Sequence, residues 1–225
     1  MSRPDSHVGR PWELAFTDRM FLLCLHLRTN LTERQLGALF TIGDATVHRI
    51  IATYTPHVAG LLPAAPYIDR RFLHVVDGTL IPVHDRSRTA KSKNYRRSVN
   101  VQVVAQRKTR RIMAVSPAMP GNRNDIKVWK ETGLDDTWDG VKLIGDGGYR
   151  GAATVTSPVR GKDGRIIRDD TYTEFARKRA TAEHVIARWK DWQIMRQNRK
   201  RGTNIDDTIR ATAALYNMSP AIQTS

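Results

Sequence analysis

The chain holds a single cysteine, Cys24. One thiol excludes a disulfide framework and a cysteine-based zinc finger, and it suits a reducing compartment. Long apolar runs are missing too: no stretch reaches the roughly 18 residues of a membrane span. The best candidate, Met20–Leu27, is broken by His26 and flanked by Arg19 and Arg28. The opening MSRPDSHVGRPWEL lacks the apolar core of a signal peptide. These absences predict a soluble, cytoplasmic protein. There is no GxSxG serine elbow and no GxxxxGK phosphate loop, and the seven histidines show no HxxxH zinc spacing. Acid is locally scarce as well: residues 86–111 carry ten Lys/Arg and no Asp/Glu.

What is present is size, apolar content and positive charge. The 225 residues suffice for one catalytic domain and a small appendage, and 40 % hydrophobic content allows a sizeable core. Net charge is +15, which implies a polyanionic partner, most simply nucleic acid. Residues 1–66 hold six Lys/Arg against five Asp/Glu, whereas residues 67–225 hold 31 against 17. The basic surface therefore belongs to the C-terminal part. A second basic run, residues 177–201, has nine Lys/Arg against Glu183 and Asp191.

The chain reads as an arm over 1–16, a helical unit over 17–62, a linker over 63–70, an α/β domain over 71–218 and a tail over 219–225. Thr17–Arg28 is an apolar, periodic helix. Thr32 opens a second helix, with Gln35 three residues on to close a capping box. After the turn Thr41-Ile42-Gly43, Asp44 is expected to cap a third helix that buries Val47, Ile50, Ile51 and Tyr54. Two helices around a short Gly-containing turn form a helix-turn-helix pattern. Beyond the linker, Phe72–Val83, Ser98–Gln106 and Arg111–Ser116 read as strands of a meander. Asn124–Glu131 is a short helix capped by Asn124, Val141–Ile144 a strand, and Thr173–Trp192 and Asp206–Tyr216 are helices. Three strands, a helix, a strand and then helices is the order of a ribonuclease-H-like domain, a mixed sheet flanked by helices.

Two acids share one setting. Asp77 lies in Val75-Val76-Asp77-Gly78 and Asp146 in Leu143-Ile144-Gly145-Asp146-Gly147, each after an apolar run and before glycine. A lone Asp before Gly is also an ordinary turn, but a carboxylate inside a strand is costly to bury alone. Adjacent strands with one Asp each would bring two carboxylates to one metal. Glu183 shares a helical stripe with Arg179, Ile186 and Lys190, beside an apolar stripe of Phe175, Ala182, Val185, Trp189 and Trp192. From spacing alone, Arg179 and Glu183 are equally an i,i+4 surface ion pair.

The strings HVVDGTLIPV, VQVVA, PGNRND and LIGDGGY, and the spacing Arg179–Glu183–Lys190, resemble the DDE-type transposases of bacterial insertion sequences, in the group with Harbinger-type relatives. The N-terminal LTERQLGALFTIGDATVHRII fits the same proteins, so the resemblance runs from about Leu14 to Tyr216. Two positions depart from the family pattern: Ala176 stands at a Tyr position and Asn124 at a His position.

The resemblance implies a bacterial, nucleoid-associated enzyme that cleaves transposon ends and joins the freed 3′-OH to target DNA. It implies Asp77, Asp146 and Glu183 as catalytic metal ligands for two Mg²⁺ ions, with Mn²⁺ as a substitute. Arg179 and Lys190 would hold phosphates near the scissile position. The 86–111 block, including Lys91, Lys93, Arg96 and Arg97, would track the DNA backbone. Thr46, His48 and Arg49 would read element ends. Pairing two ends implies a homodimer or larger synaptic assembly on DNA. Two rival readings stay open: a domesticated DDE nuclease that does not transpose, and an inert sequence-specific DNA-binding protein.

Overall fold

The computed structural model describes residues 11–63, 68–91 and 97–219. The expected DNA contacts Lys93 and Arg96, much of the arm and linker, and most of the tail lie outside the described residues.

Three helices come first: α1 (Phe16–Thr29), α2 (Glu33–Phe40) and α3 (Asp44–Ala59). The capping box at α2 is complete. Thr32 Oγ1 accepts from the Gln35 amide at 3.2 Å, and Gln35 Oε1 accepts from the Thr32 amide at 2.9 Å. The expected cap of α3 is corrected. Gly43 is its N-cap and Asp44 is already helical, so Asp44 contributes its charge to the first turn instead. Val47, Ile50, Ile51 and Tyr54 are buried as the 3.6-residue period requires.

The sheet follows: β1 (His74–Pro82), β2 (Ala90–Lys91), β3 (Arg97–Gln106), β4 (Ile112–Val115), β5 (Met119–Pro120), then helices α4 (Asp125–Glu131) and α5 (Leu134–Thr137), then β6 (Leu143–Ile144) and β7 (Val155–Thr156). Two long helices close the chain, α6 (Asp170–Trp189) and α7 (Asn204–Met218). The strand order is β2-β3-β1-β6-β7, with β4 and β5 also paired to β3. β1 and β3 are antiparallel, whereas β1–β6 and β6–β7 are parallel, so the sheet is mixed. The meander and the mixed α/β order agree with the sequence reading. The two-residue strands β2, β5 and β7 are additions too short to carry a period.

Both faces of the sheet are covered, which is why β1 and β3 are apolar on alternate and often consecutive positions. On one face Val75, Ile81, Val99, Val101 and Val103 pack with Ala182, Val185, Ile186 and Trp189 of α6, with α7 and with α1–α3, in one continuous core. On the other, Val76, Val104, Trp129, Trp138 and Tyr149 form a smaller core under α4 and α5. The helix-turn-helix unit is thus fused to the sheet's larger core. Among the described residues no helix is long and apolar enough to cross a membrane.

Candidate active site

The register of the central strands positions the two aspartates. Val75 pairs with Ile144 across the parallel β1–β6 ladder. Asp77, within β1, and Asp146, just past the end of β6, are each two residues further along, so they stand at the same level on neighbouring segments. Gly145 is fixed by packing: a β-carbon there would meet Tyr149, Val155 and Val76 at 2.7–3.0 Å. The Gly before Asp146 therefore lets the chain leave β6 against the small core. Asp146 Oδ1 then accepts from the Gly148 amide at 2.7 Å, and Asp77 Oδ1 accepts from the Gly78 amide at 2.9 Å.

Burial, and next the charge of Asp146, raise Asp77 to a pKa of about 7. Asp125 pushes in the same direction, and the Arg179 guanidinium pushes against it. Burial and a neighbouring like charge are the two causes that shift a carboxylate in this direction.

Helix α6 packs its Ala182–Val185–Ile186–Trp189 stripe on the sheet and carries Arg179 and Glu183 on its flank. Arg179 donates to Glu183 at 2.5 Å, and the Glu183 side chain is half exposed. The third predicted acid is therefore tied to Arg179, and Arg179 in turn stands within electrostatic reach of Asp77. Among the described residues, no three His, Cys, Asp or Glu side chains already converge closely enough to hold an ion. Lys190, the C-cap of α6, donates from Nζ to the Leu80 carbonyl of β1 at 3.0 Å. Burial lowers its pKa. Ile186, on the same stripe as Arg179, Glu183 and Lys190, is buried against the sheet.

Asp125 escaped the sequence reading as a site residue. Its Oδ1 accepts from Asn100 Nδ2 and Gln102 Nε2, each at 3.1 Å. A groove of about 390 Å³ runs past it, lined by Gly78, Asn100, Asn124, Asp125, Asp146 and Gly148 among others. Asn124, the departure at the family His position, caps α4 by accepting from the Lys127 amide at 3.2 Å.

The basic positions divide by burial. Lys91 and Arg97 are exposed at the β2–β3 edge. Arg88, in the same basic block, is instead structural: it donates to Asp206 of α7 at 3.0 Å and to the Ala118 carbonyl at 3.2 Å. On α3, His48 and Arg49 are exposed and Thr46 is half-buried. His48 Nδ1 lies 3.2 Å from Glu33, and the Arg49 guanidinium sits 4.2 Å over the Trp12 ring. Cys24 and His26 are packing residues. His26 is buried, with Nδ1 2.9 Å from the Leu31 carbonyl, and burial lowers its pKa to about 4.

Residues 76–217 match a family model described as the DDE superfamily endonuclease. Residues 12–63 match the helix-turn-helix of DDE superfamily endonucleases. The chain is also 38 % identical over 215 residues to the transposase assigned to insertion sequence element IS112 of Streptomyces albus G, which covers 94 % of this chain and 83 % of that protein.

Proposed function

This chain belongs to the DDE superfamily of endonucleases, and on that premise we propose that it is an insertion-sequence transposase with Asp77, Asp146 and Glu183 as its acidic triad. The observation that carries the assignment is that Asp77 within β1 and Asp146 just past the end of β6 stand two residues beyond the paired Val75 and Ile144, with Asp77 raised to about 7 by burial and by the charge of Asp146.

DDE endonucleases use divalent cations, and the donor set fits one. Carboxylate oxygens are what Mg²⁺ and Mn²⁺ prefer, and a cation offsets the repulsion between paired acids. Asp77 and Asp146 would hold the ions, two Mg²⁺ with Mn²⁺ as substitute. When bound, they supply charge neutralisation at the phosphodiester and polarise the attacking oxygen. Glu183 joins the pair once its contact with Arg179 rearranges. Arg179 then has its donors available for a phosphate beside Asp77. Lys190, anchored on the Leu80 carbonyl, adds positive charge to the same edge. Lys91 and Arg97 hold backbone phosphates at the β2–β3 edge. Thr46, His48 and Arg49 present α3 to the element ends, with His48 exchanging Glu33 for DNA. Two ends must be brought together, so the working assembly is a dimer or larger.

The test is strand transfer. A labelled, pre-cleaved element end with a free 3′-OH is incubated with target plasmid and Mg²⁺. Covalent label on the plasmid, absent with EDTA, is the expected result. Cleavage of uncut ends without joining would leave the domesticated nuclease reading in its place.

A further inference from the structure

Asp125 has no part in the triad, yet it is built into the same site. It approaches β1 from the face opposite α6, directly over Gly78. A β-carbon on Gly78 would meet Asp125 Oδ1 at 2.0 Å, so only glycine leaves room for this carboxylate. The side chain is held from β3. Asn100 and Gln102 both donate to Oδ1, and Gln102 also donates to Asn100 Oδ1 at 3.1 Å. The Tyr149 hydroxyl donates to Gln102 Oε1 and completes the set. Gln102 is fully buried and Asn100 nearly so. Two buried amides thus donate to one oxygen of one acid, and Asn100 Nδ2 also donates to the Arg123 carbonyl at 2.9 Å, which ties the α4 entry to β3.

The other oxygen, Oδ2, lies on the Gly148 side. The point where a Gly148 β-carbon would lie is 3.3 Å from Asp125 Oδ2 and 2.8 Å from Asp146 Oδ1. Oxygens from two separate elements therefore flank one spot on the wall of the groove. Two carboxylates held near each other repel, and a proton or a cation between them offsets that repulsion. A backbone phosphate would increase the repulsion, whereas a divalent cation removes it.

We infer that Asp125 is a fourth carboxylate of the metal site, its Oδ2 joining Asp146 in holding a divalent cation directly or through one of the cation's own waters. The inference rests on the reading of Asp77 and Asp146 as metal ligands. Asn100 and Gln102 are positioning residues for it.

The test is Mn²⁺ binding by the full chain, followed by electron paramagnetic resonance, for wild type, Asp125→Asn and Asp146→Asn. Asp125→Asn is expected to weaken Mn²⁺ at least about tenfold, the scale of supporting ligands. The Mn²⁺ concentration for half-maximal DNA nicking should rise in step. Mn²⁺ affinity equal to wild type in Asp125→Asn, with Asp146→Asn impaired, overturns this inference alone. Absence of Mn²⁺ binding and nicking in wild type overturns the underlying reading and this one together. A second measurement needs no variant. Fe²⁺ and peroxide should cut the wild-type backbone near residues 77, 146 and 125. Cuts near 77 and 146 without one near 125 contradict the proposal.

Discussion

Arg179 donates to Glu183 at 2.5 Å across one turn of α6, and the same guanidinium favours the ionised form of Asp77 on β1. One guanidinium therefore acts on two of the three acids proposed as the triad. Arg179→Gln removes that stabilisation, so Asp77, already at about 7, should titrate at still higher pH. Carboxyl-carbon NMR of Asp77 in EDTA reads the shift. An Asp77 midpoint that falls or stays would show that Arg179 does not act on it.

The raised pKa of Asp77 also has a stability consequence. An acid with a folded pKa near 7 and an ordinary value of 3.8 binds its proton more tightly when folded. Its contribution is fully present below about 3.8 and is lost as pH rises through about 7. Buried His26, lowered to about 4 from 6.5, has the opposite slope over part of this interval. The comparison must therefore be with Asp77→Asn, which keeps the His26 slope. In EDTA, the melting temperature of wild type should fall relative to Asp77→Asn between pH 4 and pH 7. Parallel curves would contradict the raised pKa.

Gly78 is occupied from above by Asp125, which a β-carbon would meet at 2.0 Å. Gly78→Ala must displace α4 or the carboxylate. Overpacking of this kind costs about 1–3 kcal/mol, and urea denaturation should show a loss in that range. Wild-type stability with unchanged Mn²⁺ affinity would mean that the close approach is unimportant.

Arg88 and Arg97 lie in one basic block but should behave differently. Arg88 ties the loop before β2 to Asp206 of α7, so Arg88→Ala should lose about 1 kcal/mol of stability and leave the salt dependence of DNA binding unchanged. Arg97 is exposed, so Arg97→Ala should keep its stability and lower the slope of log affinity against log salt by roughly 1. Equal slopes for Arg97→Ala and wild type would remove Arg97 from the DNA path.

The sequence made some of this legible and not the rest. The strand–Asp–Gly pattern located Asp77 and Asp146 because the apolar runs before them are strands and the parallel register aligns them. The i,i+4 spacing foretold the Arg179–Glu183 ion pair, since helical geometry is local. Asp125 was in plain view in PGNRND, but it reads as an ordinary acid at a helix start. Its partners Asn100 and Gln102 are 25 and 23 residues away, on a strand whose register only the folded sheet supplies. A signal did exist: polar Asn100 and Gln102 alternate with Val99, Val101 and Val103 in a strand buried on both faces. The contact of Lys190 with the Leu80 carbonyl was not legible, because it joins elements 110 residues apart.

The central claim is that Asp77 and Asp146 carry the cleavage chemistry. Its most direct measurement is Mg²⁺- or Mn²⁺-dependent nicking of DNA bearing the element ends by wild type, Asp77→Asn and Asp146→Asn, with DNA binding measured alongside. Nicking is expected from wild type, with loss of at least about 10²-fold in either variant and DNA binding retained in all three. Equal nicking by wild type and Asp146→Asn would contradict the claim.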